Sequence, residues 1–167
     1  GNSLWIYISL MLHLPDSSID TLVEEIIRTD TRQLNYLISL LPKTLPDVET
    51  EKWIGLIQTT QFYYESDRID SYIALLPYLS VERQQTVISQ LCEEIPKLPY
   101  NTWKEKAFRD LAGWLNARQL TDAKRVLLNI GDQNDIGYAF LSLFDFLPES
   151  EKKQVHSFFL SCVKPSA

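Results

Sequence analysis

The chain has few of the side chains that do covalent or metal chemistry. In 167 residues there are 2 histidines, 2 cysteines and 1 methionine. Cys92 and Cys162 have no neighbouring cysteine at CxxC spacing, and no N-x-S/T triplet occurs, so the expected setting is the reducing cytoplasm with both thiols buried as small apolar groups. Only 5 glycines and 8 prolines are present, too few for collagen or low-complexity sequence. The longest apolar stretch, 4–14, is 11 residues interrupted by Ser9 and His13, well short of the ~20 that a helix needs to span a bilayer, so no membrane association is expected. Positive charge is also scarce: 16 basic against 22 acidic side chains give a net −6, the wrong sign for neutralising phosphates. Nucleic acid is therefore not an expected partner. There is no initiator Met and no basic residue ahead of the apolar run, and Trp5 stands where a myristoylation signal needs Ser or Thr. A chain that opens this way is expected to be a piece of a longer polypeptide.

What is present is a repeat. Apolar residues make up 45% and charged residues 23%, ordinary for a globular protein that buries about 70% of its unfolded surface. Taking Pro15, Pro46, Ser80, Asn116 and Pro148 as anchors, the intervals are 31, 34, 36 and 32 residues. The position before each anchor is always leucine (Leu14, Leu45, Leu79, Leu115, Leu147), and so is the position five before (Leu10, Leu41, Leu75, Leu111, Leu143). Eight before stand Tyr7, Ile38, Tyr72, Phe108 and Phe140; nine before, the last three repeats have the small residues Ser71, Ala107 and Ala139. Two before stand His13, Thr44, Tyr78, Trp114 and Phe146. Seven after come Leu22, Trp53, Val87, Ala123 and Val155, and eleven after come Ile26, Ile57, Leu91, Leu127 and Phe159.

These offsets are the i, i+4 and i, i+4, i+8 spacings of two amphipathic helices, so each unit reads as a helical hairpin turning at its anchor. First helices are expected near 3–14, 32–43, 67–79, 103–116 and 135–147; second helices near 17–28, 48–61, 81–95, 119–130 and 149–163. Proline at three anchors suits the first turn of a second helix, and the Asp or Glu that follows suits its positive end. No alternating stretch suggests a strand. The expected fold is all-α, one domain over 1–167: an α-solenoid of about five antiparallel hairpins, with a closed helical bundle as the alternative.

The segments 71–80, Ser-Tyr-Ile-Ala-Leu-Leu-Pro-Tyr-Leu-Ser, and 108–116, Phe-Arg-Asp-Leu-Ala-Gly-Trp-Leu-Asn, resemble degenerate HEAT-like repeats. They are most similar to the Ala-Leu-x-x-Leu-Ala-Pro-Tyr-Leu-Pro units in the helical tails of bacterial, especially cyanobacterial, NACHT-type signalling NTPases. The resemblance covers nearly the whole chain but rests on packing residues. It implies a sensor or scaffold arm that recognises another macromolecule, and the chain itself has no nucleotide-binding motif. The tetratricopeptide pattern is met in part only, because Ile57 stands where glycine is required after Trp53 and Leu56.

Catalytic motifs fail on spacing: there is no G-x-S-x-G, no H-E-x-x-H and no glycine-rich phosphate loop. The run Gly131 to Gly137 imitates a calcium loop at Asp132 and Asn134, but Ile136 and Leu143 occupy later ligand positions, so helix capping is its expected role. His13 and His156 lie far apart in the repeat, and Glu24-Glu25 and Glu93-Glu94 diverge around a helix. No enzyme activity, cofactor or metal is expected. Trp53 and Trp114 stand in repeat columns and are expected in the core. Tyr63, Tyr64, Tyr100 and Trp103 fall at the joints between hairpins, where half-exposed aromatics suit a protein partner. With them go Lys104 and Arg109, from a basic group on the fourth hairpin that also includes Lys106, Arg118, Lys124 and Arg125. The expected function is a non-catalytic protein–protein interaction, sensor or scaffold module; the alternative is an all-α enzyme or small-ligand bundle whose site is assembled from unlinked residues. A helical array binding nucleic acid through the fourth-hairpin cations is a third reading.

Overall fold

A computed structural model describes residues 21, 23, 25–28, 30–39, 41, 47–128 and 143–162, with side chains left out for 128, 154, 155 and 158–162. Every regular element among them is helical. The helices are α1 (Gln33–Ser39), α2 (Asp47–Thr59), α3 (Glu65–Leu75), α4 (Val81–Glu94), α5 (Asn101–Leu111), α6 (Ala117–Leu128) and α7 (Glu149–Cys162). Short 3₁₀ turns follow three of them, at Leu76–Tyr78, Ile95–Lys97 and Ala112–Trp114. The expected first helices of hairpins three and four therefore appear as α3 and α5, each tightening into a 3₁₀ turn before its anchor. The hairpins expected at 3–28 and around 131–142 lie largely outside the described residues.

Proline alone does not cause the tightening. Pro77 cannot donate a backbone bond, and the Leu76 amide bonds to the Ile73 carbonyl, an i−3 partner. In the next hairpin Gly113 stands in place of proline, yet the Ala112 amide bonds to the Arg109 carbonyl in the same way. The Leu115 amide then reaches Ala112 at 3.2 Å, and its repeat equivalent Leu147 reaches Phe144 at 3.2 Å. The turn belongs to the hairpin, because each of these leucines must swing back into the core: Leu79, Leu115 and Leu147 are 6%, 9% and 4% exposed.

The anchors Ser80, Asn116 and Pro148 prove to be N-caps, one residue earlier than a proline in the first turn would sit. Helices begin at Asp47, Val81, Ala117 and Glu149, each directly after its anchor. Ser80 accepts from the Arg83 amide through its side chain. Asn116 and Gln119 form a reciprocal capping box, each accepting the other's backbone amide at 3.0 Å. Pro148 has no polar side chain, and its carbonyl accepts from Glu151 and Lys152.

By its contacts the chain divides into two compact units, Gly1–Tyr78 and Leu79–Ala167. In the first, α1 packs along α3 and α2 packs against α3. Because α1 and α3 are first helices of consecutive hairpins, their pairing is the lateral contact that stacked repeats require. In the second, α5 packs against α6, its own hairpin partner. The repeat columns supply the core of both. Ile38, Tyr72 and Phe108 are at most 4% exposed, Leu75 and Leu111 are fully buried, and Ile57, Leu91 and Leu127 are at most 1% exposed. Ser71 and Ala107, the small residues, are also buried, and the Ser71 hydroxyl donates to the Asp67 carbonyl at 2.8 Å.

One column departs from expectation. Trp53 is buried as expected, but Trp114 is exposed at 36%, and its equivalent Phe146 at 45%. The reason is visible in the neighbours. Tyr78 donates its phenol to the Leu41 carbonyl, in the turn of the preceding hairpin. Phe146 places Cε1 3.6 Å from the position a Cβ on Gly113 would take, again in the preceding turn. Two before the anchor, Tyr78 and Phe146 lie back toward the preceding turn, and Trp114 stays exposed.

Candidate joint-facing interaction surface

The joints between hairpins lie at the opposite end of the helices from the anchors, and they share a backbone device. Tyr64 and Tyr100, both sixteen before their anchors, are the N-caps of α3 and α5, with φ, ψ of −119°, 135° and −109°, 133°. Neither makes a side-chain capping bond. The amides of Asp67 and Trp103 bond to their carbonyls, both at 3.1 Å. Asp30 is the same position one hairpin earlier: the Gln33 amide bonds to its carbonyl at 3.0 Å, and its carboxylate accepts from the Arg32 amide at 3.1 Å. Among the described residues the joint therefore takes aspartate once and tyrosine twice, and the sequence has a further aspartate, Asp132, sixteen before Pro148.

In the first unit the exposed aromatics border a groove of about 610 Å³ lined by Arg28, Asp30, Thr31, Arg32, Tyr63 and Tyr64. Tyr63 is 82% exposed and Tyr64 42%, their rings edge to face at 4.6 Å. Arg32 grips Asp30 with Nε to Oδ1 and Nη2 to Oδ2, both 2.9 Å. That bidentate pair holds the Asp30 carboxyl well below the usual carboxylate range, from 3.8 to about 2, while Arg32 is held more firmly protonated. Arg28 donates through one nitrogen to Glu25 at 2.9 Å, in a pair open to water on both sides. Near by, Arg68 pairs with Glu65 and lies 5.9 Å from the centre of the Tyr72 ring.

In the second unit Tyr100 is 58% exposed and packs edge to face on Trp103, with ring centres 4.6 Å apart. Trp103 and Lys104 are half-buried on α5. Arg109 is exposed and reaches Asp110 at 3.5 Å, where Lys106 also arrives at 3.0 Å. Arg125 pairs with Asp122 at 3.3 Å, and Lys124 crosses to Glu151 on α7 at 2.9 Å. Four of the six fourth-hairpin cations thus carry a carboxylate partner.

Tyr63 with Tyr64, and Tyr100 with Trp103, are brought together as neighbours within their own units. Sequence reasoning missed Arg28, Asp30 and Arg32. The available signal was the alignment of Asp30 with Tyr64 and Tyr100, a column outside the apolar pattern.

Other candidate chemistry is spread thinly. Cys92 is half-buried, and burial pushes its thiol up, with the Asp122 charge adding to the shift, so it is not an activated nucleophile. His156 and Glu93 are exposed, and Glu94 accepts from the Gln90 side chain at 2.9 Å. Among the described residues no cluster of three or more His, Cys, Asp or Glu is placed to hold a metal, and no helix is long and apolar enough to cross a membrane. His13, the calcium-like run and the side chain of Cys162 lie outside the described residues. Comparison with protein-family models, curated proteins and solved structures finds no match to the chain.

Proposed function

We propose that this chain is a non-catalytic protein–protein interaction module, a sensor or scaffold arm of a larger cytoplasmic signalling protein, and that its joints carry the contact surface. The observation behind this reading is the choice of tyrosine at two helix N-caps. Ser, Thr, Asp or Asn at such a position satisfies an open backbone donor, and replacing one by a residue that cannot cap costs ~1 kcal/mol. Tyr64 and Tyr100 forgo that capping bond and leave large rings in water. A residue that costs stability and exposes apolar surface is better explained by contact with a partner than by folding, and tyrosine is a favoured anchor at protein interfaces. The five-fold column pattern supports stacking of the hairpins as a solenoid, which would line the joints along one edge. The resemblance to NACHT-type repeat tails supports the same role.

The test sets stability against binding. Tyr64→Ser and Tyr100→Ser are each expected to raise the melting temperature while reducing capture of the partner by the parent protein in its own cells. If the variants are destabilised and still capture the same partner, the tyrosines are packing residues and the reading fails.

A further inference from the structure

We infer that the outer face of α2 takes a basic helix of a partner protein, which crosses α2 at Gly55. This rests on the reading of the chain as an interaction module and places a second contact on a helix face, apart from the joint aromatics. Three observations converge. First, the fold makes no use of Gly55. It stands inside α2 without a positive φ, and a Cβ built on it meets no described atom within 4 Å. Neither backbone conformation nor packing within the unit calls for glycine there, and glycine inside a helix is destabilising relative to alanine. What it offers is room, because the backbone of another chain can come nearer to a helix where no side chain stands between them.

Second, Gly55 belongs to a face turned away from the core. Val48 lies seven residues before it and Thr59 four after, so the three line one side of the helix, while the buried Thr50, Trp53, Ile54 and Ile57 take the other. Val48 is 79% exposed and Thr59 is exposed. The Thr59 hydroxyl donates to the Gly55 carbonyl at 3.0 Å, so a chain lying there would bury no unsatisfied hydroxyl.

Third, charge selects the kind of helix. The unit Gly1–Tyr78 contains 5 basic and 11 acidic residues, a net −6. On α2 itself Asp47, Glu49 and Glu51 stand against Lys52. Asp47 and Glu49, on either side of Val48, make no ion pair among the described residues. The positive end of the helix offsets part of their charge but not the field of the whole unit. Unlike the joint groove, whose guanidiniums are matched by carboxylates, this face holds charge without a counterpart, and a basic segment is drawn to it while an acidic one is repelled. Gly55 is thus the crossing point, Val48 the apolar contact, and Asp47 with Glu49 the charge contact.

The experiment titrates the 167-residue chain with a blocked helical peptide of about 20 residues made of Ala, Leu and Lys, and with the same peptide carrying Gln or Glu at every Lys position. Amide chemical shifts report the site and the affinity. The Lys peptide should shift residues 47–59 and bind about tenfold more tightly than the Gln peptide, the scale of two exposed charge pairs. Asp47→Asn combined with Glu49→Gln should remove that preference and leave the Gln peptide's affinity unchanged. Gly55→Ala should raise the melting temperature of the chain yet weaken the Lys and Gln peptides alike, by about tenfold. Equal or tighter binding of the Gln or Glu peptide, shifts centred outside 47–59, unchanged affinity in Gly55→Ala, or a lowered melting temperature in that variant would overturn the inference. So would self-association of the chain that Gly55→Ala abolishes, which would make a second copy the occupant. Peptides that ignore α2, with partner capture still lost in Tyr64→Ser, overturn only this inference. Retained capture together with that indifference overturns the broader reading as well.

Discussion

The two joints with tyrosine caps differ in what surrounds the same backbone. At 60–65 in the first unit and 98–101 in the second, the chain enters the next helix through a tyrosine with nearly identical φ and ψ and an i+3 bond of 3.1 Å. In the first unit the rings of Tyr63 and Tyr64 stand beside Arg28, Asp30 and Arg32, in a body of net charge −6. In the second, Tyr100 is shielded on one side by Trp103 of its own helix, and the body carries 11 basic and 11 acidic residues, many of them paired. The repeat fixes where an exposed aromatic stands, because the cap position is set by the hairpin geometry. The neighbouring non-repeat residues set its chemistry. One joint thereby sets its rings beside charged groups and the other sets its ring against an aromatic one.

The comparison can be broken most forcefully at the core. Leu75→Ala and Leu111→Ala remove fully buried equivalents, one per unit, and each should cost about 2–5 kcal/mol. Thermal or urea unfolding followed by circular dichroism checks this; a near-neutral result at either site would show that the leucine column is not the shared core. The caps come next. Asn116→Ala removes one half of a capping box and should cost about 1 kcal/mol, measured by the same unfolding curves. Tyr64→Ser and Tyr100→Ser should act in the opposite direction, each gaining up to about 1 kcal/mol. If only one gains, the ring in the other joint contributes packing that its exposure hides.

The smallest effect separates the joints by pH. The Asp30 carboxyl is depressed from 3.8 to about 2 by Arg32. The stability it adds is complete above its unfolded value and disappears as pH falls from near 4 through 2. Asp30→Asn should therefore flatten the acid limb of unfolding for the first unit and leave the second unit's signals unmoved, as read by histidine-independent probes such as the amides of α5 and α6. An unchanged acid limb would mean that the exposed Arg32 fork does not hold Asp30 in solution.

Much of this was legible in the sequence because helix packing has a short period. Leu75, Leu111 and Leu143 recur at one offset, and all three are buried. Burial of Ser71 and Ala107 could be read the same way. Trp114 could not: a large aromatic in a repeat column reads as core, but column membership specifies an azimuth and not a depth. Its offset lies on the turn, where a ring can stay at the surface, as the equivalent Phe146 also does at 45% exposure. Arg28 and Asp30 were illegible for a different reason. Their meaning depends on residues about thirty positions away, and no local spacing rule joins Arg32 to Tyr64.

The sequence alone determined, for the described residues, that every regular element is helical, where the hairpins turn at Ser80, Asn116 and Pro148, and which leucines and isoleucines leave water, since periodicity and capping act over a few residues. Tertiary packing alone decided which aromatics stay outside, which carboxylate holds which guanidinium, and that one joint encloses a groove. Those outcomes depend on the distance between consecutive hairpins, which side-chain volume and shape set only once the helices are packed together.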